Sequence, residues 1–133
     1  MRRDSREAVY KILYSELFNS DITEDFVTTV FEEQNLTAED QTFANALLSA
    51  IKQNKSEIND IITQFATGYN FDRIYSTDKC ALVIAVCEMK YFKDIPSVVS
   101  IDEALYLVRK YSTEDSLNFV NGILASCKKS LGV

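Results

Sequence analysis

The run from Cys80 to Cys87 constrains the fold more than any other stretch of this chain, because all eight of its residues are apolar. A helix that is apolar on every side is normally buried among other helices. A strand is the alternative interpretation of so short an apolar run. The two alanines inside the run and the charged residues on both sides of it favour a helix. We therefore predict a buried central helix that begins near Ser76 or Thr77, against which the other helices pack.

The scarcity of turn-forming residues extends this expectation to the whole chain. Its 133 residues include three glycines and one proline, too few for the many turns of a β-sandwich or barrel. A chain of this length can bury a core without disulfides or metals, and it normally forms one domain. The sequence thus predicts an all-α fold of about seven helices in a single domain, residues 1–133.

Apolar residues at helical spacing place the helices that precede the central one. The first is predicted from Asp4 to Phe18, capped by Asp4 or Ser5, with a core stripe of Val9, Ile12, Leu13 and Leu17. The second begins at Thr23, the third opens at Leu36-Thr37, a polar break follows at Lys52 to Ser56, and Gly68 caps the fourth. Residues Tyr69 to Tyr75 are predicted to form a loop with a short turn.

The segment from Ile95 to Leu124 is predicted to form a helical hairpin. Ser100 followed by Glu103 is a capping-box pattern, so a helix should begin at Ile101. A second helix should start after Ser112 or Thr113, with acidic residues in its first turn. The two apolar stripes are Ile101, Leu105 and Val108, then Leu117, Val120 and Leu124, whereas Phe119 lies on a separate face that begins at Asp115. A glycine inside the second helix, Gly122, suggests close packing against a neighbouring helix.

Three ordered blocks within this hairpin carry a family resemblance. They read IP-x-x-V-x-I-D-E-A-L, Y-S-x-E-D-S and F-V-N-G-I-L, and together they resemble the C-terminal signature of the NusB family of bacterial transcription antitermination factors. The order I-x-x-I-I, then G-Y-x-x-D-R-I, from Ile58 onward is also similar to the family. The resemblance implies a cytoplasmic RNA-binding factor that pairs with the ribosomal protein NusE on single-stranded boxA RNA during rRNA transcription, in the antitermination complex with RNA polymerase.

The resemblance also implies functional residues, each of which has an ordinary structural alternative. The N-terminal arginines resemble the family's RNA-contacting N-terminus, although a solvated helix end is the alternative. Tyr14 matches the family's Leu-Tyr block and is expected to stack on unpaired bases, whereas Tyr10 is equally compatible with a half-buried ring. Asp78 is expected to contact NusE as an acid at the rim of that interface. The expected RNA-binding residues are Arg2, Arg3, Arg6, Tyr14, Asp115 and Phe119, and the last two have alternatives as a first-turn helix acid and a core ring.

The charge pattern excludes a nonspecific nucleic-acid binder, because the net charge is −6. From Glu16 to Asp60 there are ten acids and two lysines, a net of −8, whereas the remainder carries a net of +2. The absence of histidine removes the usual Ser-His and Cys-His nucleophile systems. The three cysteines have no metal-ligand spacing, and no signal peptide or membrane span is visible. We therefore expect a non-enzymatic protein of a reducing cytoplasm, with no cofactor and no membrane association.

Two other functions remain open at this point. One is an RNA-binding helper domain like that fused to rRNA cytosine methyltransferases, although the chain has no room for the methyltransferase. The other is a helical protein-binding adaptor with little RNA binding. Val83 and Cys87 stand where the family commonly has arginine and tyrosine, and Asp102 stands where it has asparagine. These differences bear on the strength and sequence preference of RNA binding more than on the fold.

Overall fold

The computed structural model describes residues 1–133 and contains helices but no strand. There are seven α-helices and one 3-10 turn: α1 (Arg2–Phe18), α2 (Glu24–Glu33), α3 (Ala38–Gln53), α4 (Lys55–Phe65), the 3-10 turn (Phe71–Arg73), α5 (Ser76–Tyr91), α6 (Ser97–Tyr111) and α7 (Glu114–Leu131). The prediction of an all-α fold with about seven helices is therefore confirmed. No helix combines the length and the apolar character that crossing a bilayer would require.

The chain forms two compact units, Met1–Ser49 and Ala50–Val133. In the first unit α1 packs against α2. Thr23 caps α2, because its hydroxyl accepts a hydrogen bond from the backbone N–H of Phe26. At the start of α3, Thr37 and Asp40 form a reciprocal capping box: the Thr37 hydroxyl accepts from the Asp40 N–H at 3.1 Å, and the Asp40 carboxylate accepts from the Thr37 N–H at 3.3 Å.

Helix α5 is the centre of the second unit, as the apolar run predicted. It packs against α4, α6 and α7, and most of its side chains are buried, including every residue of the run except the half-buried Val83. A helix that is surrounded by other helices exposes no face to water, so its side chains can be apolar on every side. The polar break between α3 and α4 is also confirmed, because the chain leaves α3 at Gln53 and begins α4 at Lys55.

Helix α6 begins at Ser97 rather than at the predicted Ile101, so the capping box assigned to Ser100 and Glu103 is wrong. Pro96 occupies the N-cap, where the fixed φ of proline suits a helix start. Ser100 lies inside the helix, and its hydroxyl donates to the buried Glu88 carboxylate at 2.8 Å. The buried face of α6 accordingly contains Ala104, Leu107 and Val108, whereas the predicted Ile101 and Leu105 are only half-buried.

Four smaller predictions about helix ends and packing are also wrong. Helix α1 starts at Arg2 without a side-chain cap, so neither Asp4 nor Ser5 caps it, and Leu17 of the predicted stripe is exposed. Helix α4 ends at Phe65 with Ala66 as its C-cap, and Gly68 takes its positive φ of 83° in the following turn. Gly122 is exposed, and a Cβ placed on it would meet no atom within 4 Å, so no neighbouring helix of this chain approaches it.

Helix α7 starts where the sequence predicted. Thr113 is the N-cap, and its hydroxyl accepts a hydrogen bond from the backbone N–H of Ser116. Acidic residues occupy the first turn and lysines the last turn, which is the favourable arrangement for the helix dipole. Gly132 ends the helix in the left-handed conformation.

Candidate nucleic-acid interface

Two of the three N-terminal arginines share a single aromatic ring of the first unit. The guanidinium carbon of Arg2 lies 4.4 Å from the centre of the Phe43 ring, and that of Arg6 lies 5.4 Å from it. Arg2 and Arg3 are exposed, but Arg6 is only 4% exposed. A guanidinium over an aromatic face is held by a cation–π attraction. Arg2 and Arg3 therefore present positive charge to solvent, whereas Arg6 contributes mainly to packing.

The two tyrosines of α1 differ sharply in accessibility. Tyr14 is 38% exposed, and its ring centre lies 5.1 Å from that of Phe18 at the end of the same helix. Tyr10 is 2% exposed and belongs to the core. Only Tyr14 of this pair presents a ring on which a base or another flat group can stack.

The acidic residues of this unit are mostly exposed. Helix α2 and the segment before it present Asp21, Glu24, Asp25, Glu32 and Glu33 to solvent. Exposed carboxylates repel phosphate groups. Helix α2 therefore offers no surface to a nucleic-acid backbone.

In the second unit, a groove of about 550 Å³ opens between the segment around the 3-10 turn and the start of α7. We call it the α7 groove; its lining residues are Tyr69, Arg73, Ile74, Tyr75, Asp78, Asp115, Ser116 and Phe119. It brings together Asp78, Asp115 and Phe119, three residues that the sequence singled out. The other four predicted site residues, Arg2, Arg3, Arg6 and Tyr14, belong to the first unit.

Aromatic rings give the α7 groove its chemical character. The rings of Tyr69 and Phe119 meet edge to face, with centres 5.3 Å apart and planes at 69°. Tyr69 and Tyr75 are largely exposed, and Phe119 is half-buried rather than a core residue. Arg73 and Asp115 are exposed and add one charge of each sign. The groove can therefore accept a flat ring by stacking and offer it both a hydrogen-bond donor and an acceptor.

The sequence interpretation missed Tyr69, Arg73 and Tyr75 as lining residues. They belong to a stretch without helical periodicity, so no apolar stripe indicated which way they face. The available signal was the concentration of two tyrosines and an arginine in a seven-residue loop. Such a mixture of rings and positive charge in a loop is typical of binding surfaces more than of cores.

Asp78 is 1% exposed, so its predicted position as a rim acid is wrong. Its two carboxylate oxygens accept hydrogen bonds from the hydroxyls of Ser112 and Ser116, each at 2.7 Å. Thr77 donates in turn to the Ser112 hydroxyl at 3.1 Å. The carboxylate is buried because the α6–α7 corner supplies these donors, and a buried carboxylate requires such partners. Whether Asp78 takes part in NusE binding stays a prediction.

The residue that follows Asp78, Lys79, contacts the 3-10 turn on the opposite side of the α7 groove. The Lys79 ammonium lies 4.5 Å from the centre of the Phe71 ring, which belongs to the 3-10 turn. Lys79 is largely buried. Consecutive residues at the start of α5 thus contact the two elements that carry the walls, the first turn of α7 and the 3-10 turn, and the sequence interpretation did not predict this.

The three cysteine side chains are buried, and none of them forms a disulfide. Burial raises the pKa of the Cys87 thiol to about 12, with a smaller contribution from the neighbouring Glu88 carboxylate. Burial likewise raises the pKa of the Cys127 thiol to about 11. Both side chains are therefore thiols rather than reactive thiolates at neutral pH.

Comparison with known proteins agrees with this fold along nearly the whole chain. The NusB family profile matches residues 3–129. The transcription antitermination protein NusB of Methylacidiphilum infernorum is 34% identical over 132 residues, covering 98% of this chain and 92% of the relative. The Bacillus mycoides protein of the same name is 35% identical and covers 98% of both chains.

Solved structures give the same answer. Thermotoga maritima NusB has a TM-score of 0.86 and 33% identity, covering 97% of this chain and 91% of that one. A crystal structure of antitermination factors NusB and NusE in complex with dsRNA has a TM-score of 0.87 and 25% identity, covering 97% and 96%. This chain therefore belongs to the NusB family.

Proposed function

We propose that this chain is a cytoplasmic transcription antitermination factor that binds boxA RNA together with NusE during rRNA transcription, within the RNA polymerase complex. The proposal takes residues 1–133 as one RNA-binding domain. Family membership supplies the class of function. The observation that carries the RNA-binding part is the α7 groove, where Asp115 and Phe119 lie beside the exposed rings of Tyr69 and Tyr75.

Exposed aromatic rings favour unpaired bases as the ligand. Each base stacked on such a ring contributes about 1–3 kcal/mol to binding. Bases inside an A-form helix are already stacked, and the deep major groove of such a helix excludes side chains. We therefore expect single-stranded boxA RNA to bind more tightly than a duplex of the same sequence. The related structure that is described as a complex with dsRNA makes the duplex a necessary comparison.

The arginines of α1 supply the electrostatic part of the proposal. Arg2 and Arg3 are exposed, and each phosphate that they contact on a single strand should steepen the salt dependence by roughly 0.7 in log–log slope. The net charge of −6 excludes strong binding to arbitrary RNA. Arg6 was also predicted to contact RNA, but it is buried against Phe43. We therefore expect Arg6 to contact fewer phosphates than Arg2 and Arg3 do.

NusE is the proposed protein partner. One solved relative is described as containing both NusB and NusE, and that description supports the pairing here. Asp78 was predicted to contact NusE directly, but with 1% exposure it presents almost no surface. Its charge reversal would disturb the hydrogen bonds to Ser112 and Ser116, so loss of NusE binding in that variant would not demonstrate a contact. Co-purification of NusE with the wild-type chain is the direct test of the pairing.

The RNA proposal is tested by titrating labelled boxA RNA, a scrambled strand and a boxA duplex, with and without NusE and at several salt concentrations. The variants are Arg2→Ala, Tyr14→Ala and Phe119→Ala. Arg109→Ala is the matched control, because Arg109 is an exposed arginine of α6 that does not line the α7 groove. We expect the ring variants to lose about 1–3 kcal/mol each. We expect Arg2→Ala to flatten the salt slope by roughly 0.7 and the control to change neither quantity.

Equal affinity for boxA and scrambled RNA, even in the presence of NusE, would refute the antitermination proposal. It would favour the helical protein-binding adaptor. The comparison with scrambled RNA matters here because Val83 stands where the family commonly has an arginine in the central helix.

A further inference from the structure

We propose that Asp78 and Lys79 are positioning residues that fix the separation of the two walls of the α7 groove. Their predicted effect on RNA rests on the proposed function, whereas their effect on the shape of the groove does not. Neither residue is expected to bind the ligand directly. Asp78 lines the groove but is almost fully buried, and both of its oxygens already accept hydrogen bonds, whereas Lys79 is not among the lining residues.

Asp78 holds the α7 wall. Its two oxygens accept from Ser112 and Ser116 at 2.7 Å each, so one carboxylate ties the end of α6 to the first turn of α7. Ser116 directly follows Asp115 and lies three residues before Phe119. Residues three or four apart lie on the same side of a helix, so fixing Ser116 fixes the turn that carries both groove residues.

Lys79 holds the opposite wall. Its ammonium lies over the ring of Phe71, at 4.5 Å from the ring centre. Phe71 is the first residue of the 3-10 turn, with Tyr69 two residues before it and Arg73 two residues after it. A cation over an aromatic face is held more strongly when the pair is shielded from water, and Lys79 is largely buried.

Asp78 and Lys79 are adjacent residues of α5, so the contacts that they make hold the two walls of the α7 groove at a fixed separation. The edge-to-face contact between Tyr69 and Phe119, with centres 5.3 Å apart, joins the walls and is the direct readout of their separation. Releasing either wall should lengthen this distance and change the space that a base can occupy. Asp78 and Lys79 thereby set the affinity of the α7 groove without binding the ligand themselves.

The test uses four variants of the full chain. Lys79→Met keeps the length of the side chain but removes its charge, and Lys79→Arg restores a cation. Ser116→Ala removes one of the two hydroxyls that bind Asp78. Lys90→Met is the matched control, because Lys90 is another lysine of α5 that pairs instead with Glu57 of α4 and does not line the groove.

Three quantities are measured for each variant, and the first two decide the proposal. The first, without RNA, is the set of nuclear Overhauser effects between the ring protons of Tyr69 and Phe119. The second is the affinity for labelled boxA RNA in the presence of NusE. Thermal unfolding of each sample confirms that the variant is folded and measures its loss of stability.

We expect Lys79→Met and Ser116→Ala to weaken the ring-to-ring effects and to bind RNA about tenfold less tightly, equivalent to about 1.4 kcal/mol. Lys79→Arg should retain both properties, and Lys90→Met should retain both even if its melting temperature falls. Unchanged ring contacts in Lys79→Met and Ser116→Ala would overturn the proposal. So would an equal loss of affinity in Lys90→Met, which would indicate general destabilisation. If the wild-type chain fails to bind boxA RNA, the proposed function fails, but the ring contacts still decide the positioning role.

Discussion

Replacing Ser100 with alanine tests the most consequential difference between the predicted and the observed role of a residue. The Ser100 hydroxyl donates to the carboxylate of Glu88, a side chain with 0% exposure at the centre of the second unit. A hydrogen bond to a charged group is worth about 1.5–3 kcal/mol, and a buried acceptor cannot replace it with bulk water. Ser100→Ala should therefore lower the free energy of unfolding by about 1.5–3 kcal/mol. If Ser100 were instead the helix cap that the sequence predicted, its replacement by alanine would typically cost about 1 kcal/mol.

Urea denaturation measures this loss as a decrease in midpoint at an unchanged slope. Ser126→Ala is the matched control, because Ser126 is an exposed serine in the middle of α7. Glu88→Gln, alone and combined with Ser100→Ala, completes a double-mutant cycle, in which contacting residues typically show coupling of about 0.5–3 kcal/mol. If Ser100→Ala costs no more than the control, or if the cycle shows no coupling, the hydrogen bond does not support the core.

Three other predictions follow from features of single residues. Because their pKa values are raised, the Cys87 and Cys127 thiols ionise near pH 9 in the unfolded chain but remain protonated in the folded chain. The free energy of unfolding should therefore fall as the pH rises above 9. At pH 8 both thiols should react with a disulfide reagent only after urea is added. Gly122→Ala should stabilise the chain by about 0.5–1 kcal/mol, because α7 gains helix propensity and the space is open, and an unchanged or lower urea midpoint would contradict this. Tyr10→Ala should lower the melting temperature strongly, whereas Tyr14→Ala should leave it nearly unchanged and weaken RNA binding; equal thermal losses would refute the assignment of Tyr10 to the core.

The sequence predicted helices where the evidence was local. The apolar run from Cys80 to Cys87 has no polar face, so it had to be buried whatever its neighbours were. Thr113 and the acids after it are signals that act within one helical turn, and α7 begins there. Ser100 carried a similar local signal, but its hydroxyl is used by Glu88 from another helix. Capping patterns therefore fail where a tertiary partner competes for the same hydroxyl.

The site was less predictable, because the roles of its residues depend on contacts across the fold. Asp78 looked like a surface acid since nothing near it in sequence indicates that two serines of the α6–α7 corner bind it. Arg6 looked like an exposed charge because the ring that covers it, Phe43, lies on another helix. Asp115 and Phe119 could be paired from their helical spacing, but their partner Tyr69 comes from a loop whose direction no periodicity reveals.

The exposed acids of α2 have a kinetic consequence for a protein that must capture RNA. A chain with a net charge of −6 repels the approaching strand once the two are within roughly a Debye length, about 10 Å at 0.1 M salt. Added salt screens this repulsion and speeds the encounter, while it also weakens the phosphate contacts of the bound state. For this chain, salt should therefore shorten the residence time of RNA without slowing its capture. A basic RNA-binding protein behaves differently, because salt removes the attraction that draws the strand in.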